Sequence, residues 1–349
     1  DYAQTLEPLE WRTRAETNAI LVLAGTWSQP IAVMRALDAA GRDLMYRHGA
    51  FHDALPVYEE LLAVSERVGS IPGQAEALSH VATAHVALGD LTTARDNALR
   101  AYNVIARLGP EHRLHFVASG LAFILAYFLE GEWPVLGDGF ARYTTSADTA
   151  RSPLGIMGAA FAGLSFARAG DPATAREMLI HFTSAVDRLA PTAYTQITGI
   201  PIAATALWDI EAADLAPTYR RLVRTMIDAG VGDHLFGPLE LFDARMAALL
   251  GKDGEAEDHF QRARDRLAGR GLTHVRGIVD LDQARALLRS GSTDRTRIAA
   301  MLDAALDAFR THGMRGWTER ATLEGRRLAI DPVASSNGAP PAGKQGHRA

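Results

Sequence analysis

The chain has 349 residues, a formal net charge of −5 and no cysteine. That length fits two or three ordinary domains or one elongated repeat array. The missing cysteines exclude disulfides, thiolate zinc sites and cysteine nucleophiles, and the acidic balance excludes a global basic field that would recruit nucleic acid.

In chain order, Leu9 to Leu23 reads as a first helix. It is closed by Gly25 and the Ser28-Gln29-Pro30 segment, with Ser28 as a cap and Pro30 in a first turn, so residues 1–29 form an N-terminal helix and linker. A helix from there to about His48 turns back at Gly49, and Ala54, Tyr58 and Leu61 give the packing face of the return helix. The clearest unit is Gln74 to Leu108. Ala75, Leu78, Ala82 and His85 recur at helical spacing before a Gly89-Asp90 break, and Leu91, Ala94, Ala98, Ala101 and Ile105 recur after it. Gly can end one helix in the left-handed conformation, and Asp can accept hydrogen bonds from the free N–H groups that start the next.

The same break recurs at roughly 40-residue intervals, at Gly131-Glu132, Gly170-Asp171, Gly251 and Gly291. A fifth unit, residues 191 to 230, is degenerate. Its turn falls near Ile210 to Ala213 without a glycine, and Pro191, Pro201 and Pro217 make it the place for a kink. Arg315 to Leu328 suits a terminal capping helix. From Asp331 the composition shifts to Pro, Gly, Ser, Asn and Ala, the signature of a flexible tail. No alternating Val/Ile/Thr runs stand between turn dipeptides. The expected fold is therefore all-α: a right-handed superhelix of about seven helical hairpins over residues 30–313, with a cap over 314–330.

The turn pattern resembles the tetratricopeptide repeat family, which carries a Gly-Asp turn, an alanine about five residues later and an aromatic four beyond. Gly251, Ala256, Phe260 and Ala263 match this pattern; Gly89, Asp90, Ala94 and Ala101 match with Ala98 in the aromatic place; Gly170, Ala175 and Phe182 match in part. The repeat is longer than the ~34 residues of the standard unit, and the signature tryptophan and closing proline are mostly absent. The ending, Leu302 to Leu328, looks like the end of the sensor regions of LuxR-type, maltose-regulator-like ATPase activators and of some multidomain nucleotide cyclases. The resemblance implies a bacterial regulatory module that binds a protein partner or small effector, without a cofactor of its own. The phosphate loop of those regulators is missing, since Gly251-Lys252 lacks the upstream glycine and the following Ser or Thr. A passive scaffold, and an enzyme hidden in a helical toroid, are the alternatives.

In a repeat array the first helix of each hairpin lines the concave face. Counting back from each turn puts Asp43, Tyr46 and Arg47, then Glu76 and Thr83, then Leu121, Leu125 and Phe128 on that face. Leu164 and Arg168, Leu207 or Trp208, Arg245, and Arg285 with Arg289 follow. Apolar middle units flanked by arginines make a groove for an amphipathic helix or a small ligand with an anionic end. In the plainer alternative, the apolar residues pack between helices and the arginines are solvated.

No metal site is expected. His48 and His52 are separated by the turn at Gly49, and His80 and His85 diverge on their helix. Carboxylates at Glu59-Glu60, Asp209 and Glu211, and Glu255, Glu257 and Asp258 are expected on exposed turns and helix starts, which leaves no buried dyad for acid–base catalysis. Trp133 and Trp317 are expected to fill gaps between helices, and Glu319 and Glu324 to break an arginine stripe on a solvated cap. No apolar run reaches the ~18 residues of a membrane span, no signal peptide is visible, and only Lys252 and Lys344 are lysines among the basic residues, as in a GC-rich genome. A cytoplasmic protein without membrane contact, and open to homo-oligomerisation, is the expectation. Asp1 in place of Met reads as the start of a piece of something longer.

Overall fold

The computed structural model describes residues 29–109, 112–145, 152–186, 189 and 193–330. The expected helix at Leu9–Leu23, the Ser28 cap, Pro191 and the tail beyond Asp331 lie outside these residues. The described chain is all-helical. Fifteen α-helices follow one another, and among the described residues the nearest thing to a strand is an isolated bridge between His234 and Gly237. No described helix is long and apolar enough to cross a membrane.

The helices are α1 (Pro30–Arg42, continued by a π-helical turn, Asp43–Arg47), α2 (Phe51–Arg67), α3 (Ile71–Ala87), α4 (Leu91–Ile105) and α5 (Leu114–Phe128). Then come α6 (Trp133–Thr145), α7 (Pro153–Ala169), α8 (Pro172–Val186), α9 (Tyr194–Asp209) and α10 (Ala216–Asp228). The last are α11 (Leu239–Leu249), α12 (Asp253–Leu267), α13 (Thr273–Arg289), α14 (Arg295–Thr311) and α15 (Arg315–Ile330). Each packs against its neighbours in sequence, and α3, α5, α7, α9, α11 and α13 also pack on one another in series.

The turns form for the reason their residues give. Gly89 and Gly170 sit at φ of 85° and 82°, ending one helix, and Asp90 and Asp171 each accept a backbone N–H 3.1 Å away to start the next. In the glycine-poor fifth unit Glu211 takes the left-handed place at φ 55°, the one positive φ among the described residues that is not glycine. A side chain is strained there. Glu211→Gly is therefore expected to raise stability by roughly 0.5 kcal/mol, the relief of strain slightly exceeding the entropy glycine adds to the unfolded chain. Thermal unfolding followed by circular dichroism measures it; a lower midpoint would mean that the Glu211–Arg289 ion pair at 2.7 Å and the added chain entropy outweigh the strain.

Contacts also run far beyond helices adjacent in sequence. The loop between α10 and α11 turns inward. Gly232 N–H donates to the Arg47 carbonyl at 2.7 Å, and any Cβ at Gly232 would lie 2.2 Å from the His48 backbone. Phe236 of this loop stacks on Tyr127 of α5 with ring centroids 3.7 Å apart. At the other end, Trp317 of α15 is buried and its indole N–H donates to the Tyr127 carbonyl, 190 residues away. Trp317 thus fills an inter-helix gap as expected, and Trp133 packs edge-on against Phe123. An open array whose units touch only their neighbours would have none of the long-range contacts. Here the interior is filled by a loop and closed by the last helix.

Candidate functional site

The helices meet around two polar interiors. The first surrounds a cavity of about 160 Å³ whose walls come from α1, α3, α5, α7 and α9. Its apolar side is Phe116, Leu121, Ile124, Met157 and Phe161, joined by Leu235 from the interior loop. Its polar side is Arg42, Tyr46, Glu76, His80, Arg113 and Tyr194. The π-helical turn matters here, since an extra residue per turn shifts the side-chain face; it carries Tyr46 to the cavity, where its hydroxyl lies 3.1 Å from His80 Nδ1. His80 also stacks on Tyr58, centroids 4.5 Å apart.

Behind this wall the charges are matched. Arg42 pairs with Asp38 one helical turn away, and Arg113 grips both oxygens of Glu76 at 3.1 and 3.4 Å. Burial pushes the Asp38 carboxyl up to about 7 against the pull of Arg42, with Glu76 adding to the rise. Burial works the same way on Glu76, but Arg42 and Arg113 outweigh it and hold that carboxyl below its usual range. Burial keeps His80 neutral, with its pKa lowered to about 3. Asp38, Glu76 and His80 each offer a ligand atom within 4.8 Å of the others, a set that could hold a metal ion. A cation would have to displace Arg42 and Arg113, whose guanidiniums already stand in its electrostatic place.

The second polar interior contains four of the expected concave-face residues. Arg245 is fully buried and bonds Asp282 through Nε at 2.8 Å and Nη2 at 2.5 Å, with Thr205 taking Nη1. Trp208 donates to the other Asp282 oxygen at 2.7 Å. Arg168 bonds Asp209 at 2.7 Å with its guanidinium 4.6 Å from the Trp317 ring centre, and Arg320 pairs with the same carboxylate. Arg285 lies over the Trp208 ring, between Asp209, Asp282 and Glu324. Burial alone would raise the Asp209 pKa, but Arg168, Arg320, Arg285 and Arg245 together hold it far below the carboxylate range.

Of the expected concave-face residues, Tyr46, Glu76, Thr83 and Leu121 do meet at one cavity. Arg168, Trp208, Arg245 and Arg285 meet at another place, where the arginines partner buried acids; Trp208 and Arg285 also line an open cleft of about 390 Å³ with Glu211, Arg289 and Glu324. Phe128 is buried against Tyr127 and Phe236, and Arg47 reaches Asp43 at 3.9 Å. Two expectations fail. Asp209 is buried rather than exposed on a turn, because α13 and α15 bring arginines to it. Glu324 faces Arg285 in the interior rather than a solvated cap surface. Asp38, Arg42, Arg113 and Tyr194 were not singled out from the sequence. The i,i+4 pairs Asp38–Arg42 and Glu76–His80 were the available signal, each placing two ionisable groups on one face of a first helix.

A larger cleft of about 520 Å³ lies between the first turn, the interior loop and the end of α12. Its charges are spent on each other: Arg270 bonds Asp233 at 2.6 Å and Arg266 bonds Glu240 at 2.8 Å. The smaller cavity, with an apolar wall facing convergent polar groups of shifted pKa, has the stronger claim to a ligand. No protein-family model and no curated protein matches this chain.

Proposed function

We propose that this chain is a non-catalytic, tetratricopeptide-like repeat module, its hairpins wound into a tight superhelix, that senses a small effector in the interior cavity and relays occupancy to a regulatory partner. One observation carries this reading: the cavity is walled by five alternate helices, α1, α3, α5, α7 and α9. A molecule inside touches all five, so its binding energy depends on how they are placed relative to each other. Such coupling is at most the ligand's differential affinity for two arrangements of the helices. Glu76 is held ionised by guanidiniums, His80 is neutral, and Asp38, the acid that titrates near neutrality, lies behind the cavity lining, which favours binding over acid–base catalysis.

The test uses a glycine. Gly120 lines the cavity, and a Cβ there meets nothing within 4 Å. Gly120→Leu is expected to fill the space while stabilising α5 by about 0.5–1 kcal/mol, since glycine is a poor residue in a helix interior. Benzyl alcohol, followed by ligand-detected NMR, is expected to bind the wild-type chain and not the variant. Equal binding to both chains would end the reading, as would failure of the wild type to bind any small aromatic probe, neutral or charged.

A further inference from the structure

The cavity's own charges say more about its occupant, provided it is the effector site. We propose that the ligand is a small organic monoanion: one carboxylate, held between Arg42 and Arg113, on an apolar body that fills the space against Phe116 and Phe161. The size follows from the volume. About 160 Å³ is close to the engineered apolar cavity that admits benzene, so the body has roughly six to ten non-hydrogen atoms.

The sign follows from the groups that face one another. Arg42 and Arg113 both line the cavity, and both act on Glu76. Their side chains remain 37% and 57% exposed although each is paired, so each keeps N–H donors for a further acceptor. With Asp38 and Glu76 both ionised, two acids balance two guanidiniums, and an entering anion would be left uncompensated. With a proton on Asp38 the cluster carries one spare positive charge, and a carboxylate restores neutrality. An amine would meet two guanidiniums in either state.

Above neutrality, binding therefore carries a proton from solvent onto Asp38; below it the proton is already in place. The groups that face Asp38 fix how that proton is held. Arg42 lies on its own helix, Tyr46 on the π turn, Tyr58 on α2, Glu76 and His80 on α3, Arg113 just before α5, and Tyr194 on α9. The three tyrosines stay neutral, because burial raises each of their pKa values, and so does His80, whose pKa burial lowers. Asp38 is thus the member of the cluster that changes charge near neutrality.

Calorimetry on the full chain with benzoate, benzylamine and benzyl alcohol tests this. Benzoate is expected to bind at least tenfold more tightly than either of the others. Its affinity is expected to be about tenfold higher at pH 6 than at pH 8, with close to one proton taken up on binding at pH 8 and little at pH 6, as judged from buffers of different ionisation heat. Asp38→Asn is expected to keep benzoate binding and lose the pH dependence. Arg113→Gln, at an exposed rim position, is expected to weaken benzoate and leave benzyl alcohol unchanged. Benzyl alcohol or benzylamine binding as tightly as benzoate would overturn the anion assignment and leave the cavity reading intact; failure of all three would remove both. Zn²⁺ that binds tightly and blocks benzoate would also overturn it, by assigning Asp38, Glu76 and His80 to a metal.

Discussion

Asp282→Ala is expected to lower stability by about 3–5 kcal/mol, the cost of leaving a buried charge without its partner. Arg245 has no exposed surface, and two of its nitrogens bond Asp282. Burial works against its charge, and Asp282 more than compensates. Removing the carboxylate leaves Thr205 as the hydrogen-bond partner and also strips the acceptor from the Trp208 N–H. Against a total of about 5–15 kcal/mol for a folded protein, that loss brings the variant close to unfolding. Asp282→Asn keeps the size and one acceptor, so it is expected to lose less, about 1.5–3 kcal/mol. Arg245→Met is expected to be milder than Asp282→Ala, because Arg285 still lies 3.6 Å from the remaining carboxylate. Urea unfolding at pH 7.5 ranks the three variants. A loss under about 1 kcal/mol for Asp282→Ala would mean that water or another acid reaches Arg245.

The same network marks where sequence stops informing on structure. The turns at Gly89-Asp90 and Gly170-Asp171 were legible because the left-handed residue and its capping neighbour are a local matter of two side chains. Trp317 was legible because a large ring on a capping helix has few places to go but inward. The environment of Arg245 was not. An arginine on the inner face of a first helix is solvated or buried according to what stands opposite. Here that is Asp282, 37 residues away on α13. Asp209 is buried for the same reason: its arginines arrive from α7, α13 and α15, so no window of sequence contains them. The inward loop at Gly230 to Gly237 has the glycines of an ordinary surface turn, and only its packing on Arg47 and Tyr127 shows that it fills the interior. The cavity was half legible. Glu76, Thr83 and Leu121 follow from helix phase, whereas Tyr46 arrives through the π-helical turn and Arg113 through packing from outside the first helix.

Acid is expected to unfold this protein well above the range in which carboxylates titrate. His80, His234 and His274 are buried, and burial lowers their pKa values to about 3, about 3 and about 4. Unfolded, each titrates near about 6.5. Between those limits the unfolded chain binds protons that the folded chain refuses, so stability rises with pH across the window and is lost as pH falls through about 6.5. Asp38 acts in the opposite sense. Its folded value of about 7 lies above the ordinary value, so the folded chain holds a proton that the unfolded chain has released, and this group alone favours folding as pH drops. Asp233, raised by burial, has the same sign. Three histidines against Asp38 and part of Asp233 leave somewhat under two protons taken up on unfolding. The slope is then roughly 2 kcal/mol per pH unit, and the loss from pH 7.5 to 4.5 about 3–5 kcal/mol. Urea midpoints at constant ionic strength across that range measure it. His274→Met removes one of the three and is expected to flatten the slope by about 1.4 kcal/mol per pH unit. Stability that stays level or rises down to pH 4.5 would show that these histidines are protonated in the folded chain, and that their burial is not what holds them neutral.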